Sequence, residues 1–365
     1  MDKSTNRLQS ALLTILRSGL WEREIDDLSV FPLSAEEWEQ LFRMSKQQTV
    51  IGIVYQGLQY LPQEVSPPLS LLIRWTAVVD AIERRNREMN KALFDLSSLF
   101  RSHGIEAILQ KGQGVSQLYE KPLLRECGDI DLCFKSRSDM DAAADCIRSQ
   151  KIGIEKMPDG SSLYMWQGVE VEHHPRLLDL HNPFLRGYVE SLERTYGYDM
   201  VTLTSDEDVQ ATVASPFLNL LLLNLHILKH ALGWGIGLRQ LCDMARAYFV
   251  LGDKVDMKEM EKCSRKLGLE RWNALLNAVL IQHLGLPASC LPYSAIAQDA
   301  QPLIDIVWRG GNFGFQLEER TTPAQSVLKR KLRTANSFLK KLPFVIRYAP
   351  KEAFWIVAGL LKGQM

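Results

Sequence analysis

The chain has 365 residues, in which 43 lysines and arginines balance 43 aspartates and glutamates for a formal net charge of zero. An apolar fraction of 46% and a charged fraction of 24% are ordinary for a water-soluble globular protein. The balanced charge argues against a general binder of long polyanions. Six scattered cysteines with no Cys-x-x-Cys spacing predict neither a zinc site nor a disulfide framework. The first residues lack the uncharged core of a signal peptide, and no apolar run reaches about 18 residues. A cytoplasmic location is therefore expected.

Residues 1–104 read as helical. Leu8, Leu12, Leu13, Leu16 and Leu20 recur at helical spacing. Ser34 stands three residues before Glu37, a capping box opening a helix through Trp38 and Leu41. After Pro67 and Pro68 a long helix is predicted to run to Phe100, with Gly104 just past its end. Its charged middle, Glu83 to Glu88, reads as a solvated face or as an arginine surface beside a cleft.

Residues 105–205 read as an α/β core. An apolar strand, Ile105–Leu109, precedes Lys111-Gly112-Gln113-Gly114 and a short helical stretch, Val115–Tyr119. Strand, glycine turn and helix can cradle phosphate, because glycines let backbone approach an anion and free N–H groups meet it. Arg125 follows, within reach of a phosphate. Then comes Gly128-Asp129-Ile130-Asp131-Leu132 at the head of an apolar strand. Residues two apart on a strand share a face, so Asp129 and Asp131 project together and repel. A hard divalent cation, Mg²⁺ or Mn²⁺, relieves that repulsion, and such sites serve phosphoryl transfer. The bland alternative is a solvated strand edge. Glu170 and Glu172 share a face on a further strand, Val169–His173, and either is a candidate third carboxylate. A helix over Ser138–Ser149 and strands at Ile152–Glu155 and Ser162–Trp166 lie between. Tyr188–Tyr198 fits neither pattern, and Val201–Leu203 reads as a last short strand.

Residues 206–300 return to helix. Ser215-Pro216 caps a helix running to Leu232 that carries His226 and His230 four apart. These two read as core histidines or as lining a cleft. Gly233 to Gly237 form a glycine-rich turn, Arg239 and Asp243 are spaced for a helical ion pair, and Asp256 with Glu259 forms another cap. Residues 301–365 end in a basic tail with an apolar stripe from Val327 to Leu342. That tail reads as a helix packed on the body, or as a contact for an anionic membrane or nucleic acid.

Lys111-Gly112, Leu118-Tyr119, Arg125, Gly128 to Leu132, and Glu172 beside His173-His174 together resemble the bacterial family of uncharacterised nucleotidyltransferases, within the polymerase-beta-like superfamily. The motif core spans about Ile105 to His174, with a weaker match to about Tyr248. The resemblance implies an α+β fold: a small mixed β-sheet core with helices, flanked by amino- and carboxy-terminal helical regions, residues 206–300 closing over the nucleotide. It implies metal ligation by Asp129, Asp131 and Glu172. Nucleoside triphosphate contacts would come from Lys111, Gly112, Gln113, Ser116, Arg125 and Gly128, with His226, His230, Arg239 and Asp243 as further contacts. The superfamily's usual Gly-Ser is Gly112-Gln113 here, with Ser116 the nearest hydroxyl downstream. The expected reaction moves a nucleoside monophosphate from a triphosphate to a small-molecule or protein acceptor and releases pyrophosphate. The alternative is an inactive nucleotide-binding or interaction module of the same fold. Nothing in the sequence sets the oligomeric state.

Overall fold

The computed structural model describes residues 3–180, 182–205, 209–232, 235–291, 299–310, 342–352 and 354–355. Four helices open the chain: α1 (Lys3–Trp21), α2 (Ala35–Gln47), α3 (Ile51–Leu58) and α4 (Leu69–Ser102). Ser34 caps α2 by accepting from the Glu37 N–H, while a Glu37 carboxylate oxygen accepts from the Ser34 N–H. The expected capping box is therefore present.

Helices α1 and α3 cross with their backbones in contact. A β-carbon on Gly19 would overlap the Ile53 carbonyl oxygen, and one on Gly57 would overlap that of Ile15. Only glycine permits so close an approach. Gly57→Ala is therefore expected to cost about 1–3 kcal/mol in urea unfolding. Gly153→Ala, where a β-carbon meets nothing within 4 Å, should stay within about 0.5 kcal/mol. Gly52 presses α3 onto the carbonyl of Leu124 in the same manner, so the amino-terminal helices brace the turn that leads into the acidic strand.

The middle of the chain gives β1 (Ala107–Gln110), α5 (Gly112–Ser116), β2 (Ile130–Phe134), α6 (Arg137–Ser149), β3 (Glu155–Lys156), β4 (Ser162–Trp166), β5 (Val169–His174), α7 (Arg186–Tyr196), β6 (Tyr198–Leu203) and β7 (Val209–Ala214). They form one seven-stranded mixed sheet in the order β3-β4-β5-β2-β1-β7-β6. β2 runs antiparallel to β1 and parallel to β5, and β7 runs parallel to β1. The acidic strand thus lies at the sheet's centre, not at a solvated edge. The undecided Tyr188–Tyr198 stretch is helix α7 as far as Tyr196, and Tyr198 opens β6. β7 was not expected: its short Val-Gln-Ala-Thr-Val-Ala run relies on alanines, which carry little strand propensity.

Alternation along the strands sorts the side chains. On one face Leu109, Ile130, Leu132 and Val171 pack with Met89, Leu93 and Phe100 of α4 and with Ala143 and Ile147 of α6. On the other, Ile108 and Cys133 join a larger core. That core also takes in α1–α3 and the helices that follow: α8 (Pro216–Leu232), α9 (Leu238–Leu251), α10 (Met257–Leu267), α11 (Glu270–Gln282) and α12 (Gln301–Gly310). Asp256 caps α10 as expected, accepting from the Lys258 and Glu259 N–H groups.

Gly233 and Trp234 of the glycine-rich turn, and most of the basic tail from Leu328, lie outside the described residues. Within the described part, Val345, Tyr348 and Ala349 are buried in the larger core, and Trp355 meets the exposed ring of Phe184. Among the described residues no helix is long and apolar enough to cross a membrane.

Candidate active site

The pairing of β2 with β5 builds the site. Asp131 stands directly beside Glu172, and Cys133 beside His174, so Asp131, Glu172 and His174 share the sheet face that looks toward the carboxy-terminal helices. One ligand atom from each of these three lies within 4.8 Å of the others. His174 Nε2 is 2.6 Å from Asp131 Oδ1 and 3.6 Å from Glu172 Oε2. Lys111 Nζ sits 3.3 Å from the other Asp131 oxygen. Glu170, opposite Met165 of β4, lies outside the β2–β5 register and is exposed. Of the two glutamates, the register sets Glu172 beside Asp131.

Asp129 precedes β2 and stands outside this three-residue cluster. It remains electrostatically tied to it. The charge of Asp131, then burial, push the Asp129 carboxyl up to about 6, against the opposing pull of Lys111 and Arg239. Burial also raises Asp131, but Lys111 and His174 more than offset this and hold it well below the usual carboxylate range. The two aspartates thus differ in character: Asp131 is firmly ionised, whereas Asp129 keeps its proton into the mildly acidic range.

The glycine turn is tighter than the sequence implies. Lys111 has φ 49° and ψ −138°, and Gly112 follows with φ 43°. α5 begins at Gly112 and is a single turn. Gln113 and Ser116 are buried, and each has another use. Gln113 Nε2 donates to the Asp129 carbonyl at 3.4 Å, and Ser116 Oγ donates to the Gln113 carbonyl at 2.6 Å. These bonds tie both side chains to the floor of the turn. A β-carbon on Gly128 meets nothing within 4 Å, so packing there does not demand glycine.

Arg125 has a partner far along the chain. It is buried, and its Nε and a terminal nitrogen grip the two Asp243 oxygens at 3.0 and 2.6 Å. Tyr119 donates to Asp243 Oδ1, the oxygen that Nε meets, at 2.8 Å. Burial works against the Arg125 charge, and Asp243 more than offsets it. Asp243 therefore pairs with Arg125 of the incoming loop, where the helical spacing suggested Arg239. Arg239 donates to the Glu126 carbonyl at 2.8 Å. The Leu118-Tyr119 and Arg125 motifs are thus tied to α9 and fasten the loop that aims the acids.

His226 and His230 sit one turn apart on α8, with ring centroids 4.4 Å apart. Burial, followed by the Lys111 charge, holds His226 well below its ordinary value and takes His230 down to about 3. Both imidazoles are thus kept neutral, within electrostatic reach of Lys111. Two residues went unassigned in the sequence. His174 was visible only as a neighbour of Glu172. Asn86, within the charged middle of α4, is buried; its Nδ2 donates to the Leu123 and Arg125 carbonyls at 2.7 and 2.9 Å, and its Oδ1 faces the Cys127 N–H. A polar residue inside a charged run carries no sequence signal of such a role.

A family model described as uncharacterised nucleotidyltransferase matches residues 34–284. The chain belongs to this family of nucleotidyltransferases. No curated protein and no solved structure matches it.

Proposed function

We propose that the protein is a metal-dependent nucleotidyltransferase whose divalent cation is held by Asp131, Glu172 and His174, with Asp129 at its edge. The observation that carries this is the β2–β5 register, which sets two carboxylates and an imidazole on one face with ligand atoms within 4.8 Å. Two acidic oxygen donors suit Mg²⁺ or Mn²⁺, and the added imidazole tilts the set toward Mn²⁺. When bound, such a cation neutralises charge on a triphosphate and favours ionisation of an acceptor hydroxyl.

The chain's own groups do the positioning. Lys111 and Arg239 supply positive charge beside the acids. Gly112 lets the backbone approach a phosphate at the turn. His226 and His230, kept neutral, offer hydrogen bonds without adding charge. Glu172 orients the acceptor hydroxyl and accepts its proton. Catalysis of this kind rests on orientation and electrostatics. The acceptor is a small molecule or a protein group, in keeping with a chain of zero net charge.

The test is metal-dependent binding and pyrophosphate release across the four ribonucleoside triphosphates. Release that needs Mg²⁺ or Mn²⁺ supports transfer. Binding without release supports the inactive module, a reading favoured by the absence of the superfamily's serine from the turn.

A pH dependence follows from Asp129. Its folded pKa, about 6, lies above the ordinary carboxylate value, so the folded chain holds that proton more tightly than the unfolded one. This contribution to stability is complete below the ordinary range and is lost as pH rises through about 6. Metal binding runs the other way, because the cation must displace the proton. Mn²⁺ affinity is expected to be flat near neutral pH and to fall up to about tenfold per unit below the Asp129 pKa. Isothermal titration across this range checks it; an affinity unchanged at the acid end removes Asp129 from the site.

A further inference from the structure

Lys111 occupies a conformation that its side chain does not favour. A residue with a β-carbon is rare at φ 49° and ψ −138°, where glycine sits without strain. Such outliers persist where the side chain is put to use. The use is visible in the geometry. Nζ lies 3.3 Å from Asp131 Oδ2, and the Lys111 side chain is only 13% exposed. Asp131 Oδ1 is engaged by His174 at 2.6 Å. Both oxygens of the central carboxylate are therefore occupied by the chain's own donors, and a divalent cation competes with Lys111 for Oδ2.

We infer that Lys111 is a displaceable counter-ion: its ammonium leaves Asp131 when a divalent cation binds and then grips the triphosphate, so that metal and nucleotide bind cooperatively. The inference rests on the proposed nucleotidyltransferase reading. Its physical basis is charge balance. With Lys111 in place, Asp131 is already neutralised, so metal alone gains little. Once displaced, the largely buried ammonium stays near the cation, Arg239 and the uncharged His226 and His230. A polyanion answers that surplus of positive charge. Coupling of this kind is reciprocal: whatever tightening the triphosphate gives the metal, the metal gives the triphosphate.

The experiment compares wild type with Lys111→Met, Lys111→Gly, Lys111→Arg and Asp131→Asn. Binding of Mn²⁺ alone is read from the loss of the free-ion electron paramagnetic resonance signal. Inorganic tripolyphosphate is then titrated calorimetrically into Mn²⁺-saturated protein. Lys111→Met and Lys111→Gly are expected to bind Mn²⁺ alone about tenfold more tightly than wild type, because a competing unit charge is gone. They should bind tripolyphosphate about tenfold more weakly. Lys111→Arg should keep most of the tripolyphosphate affinity. The glycine variant also relieves the backbone, so it reports the missing amine without a folding penalty. Mn²⁺ affinity unchanged or weakened in both neutral variants, while Asp131→Asn loses Mn²⁺, overturns the counter-ion inference alone. Mn²⁺ binding indifferent to Asp131→Asn overturns the acid cluster itself, and the inference with it.

Discussion

Asp131→Asn is expected to lower metal-dependent pyrophosphate release by at least about two to three orders of magnitude, the scale set by removing one preorganised electrostatic contact at a transition state. The substitution keeps the shape of the side chain and removes its charge. Asp131 is the carboxylate on which the site converges: His174 takes one oxygen, Lys111 the other, and Glu172 stands beside it across the sheet. An amide cannot share a cation with Glu172 and His174 on the same terms. The thermal shift that saturating Mn²⁺ gives wild type, worth about 3 kcal/mol at a hundredfold excess over the dissociation constant, should vanish in the variant. Glu170→Gln, two residues before Glu172 on β5 but exposed and outside the β2–β5 register, is the control and should leave both readouts within about twofold. Equal losses in the two variants would move the acids' role from one site to the general charge of the sheet face.

Asp243→Ala is expected to give the largest loss of stability, about 3–5 kcal/mol, by leaving the buried Arg125 guanidinium without its carboxylate. Side-chain exposure of the pair is 6% and 4%, so solvent cannot take over the lost contacts. The Tyr119 hydroxyl loses its acceptor in the same step. The double variant Arg125→Met with Asp243→Leu should recover a large part of that loss, since it removes both charges and keeps the volume. Urea unfolding measures these values. Activity separates the two roles considered for Arg125. An anchor of the loop should leave kcat/KM of the folded double variant within about tenfold of wild type. A phosphate contact would cost about a hundredfold or more.

The chemistry-bearing pattern was legible in the sequence because it is local. Asp129-Ile130-Asp131 and Glu170-Val171-Glu172 show strand alternation in five residues, and both strands appear where they were expected. Which carboxylates meet was not legible. That depends on a register between strands some forty residues apart, which brings Asp131, Glu172 and His174 together and leaves Asp129 beside them. The fate of Arg125 was hidden for a similar reason. Its partner, Asp243, lies 118 positions away, and an arginine before an acid pair reads equally as a phosphate ligand or as an anchor. The burial of Gln113 and Ser116 was not legible, because a five-residue helix shows too little periodicity to reveal its buried side. β7 stayed hidden within the stretch read as helix, because its alanines carry little strand signal.

The crossing at Gly19 and Gly57 bears on what can be cut from the chain and still fold. The family match begins at residue 34, yet α1 (Lys3–Trp21) locks backbone to backbone against α3, inside the match. Trp21 further ties it to the far side by donating to the Leu284 carbonyl at 2.5 Å. A recombinant fragment trimmed to the matched residues would lose one wall of the larger core and expose Ile53, Val54 and Leu58 to water. The smallest autonomous folding unit is therefore wider than the stretch by which the family is identified, and expression boundaries drawn from the match alone should yield insoluble protein.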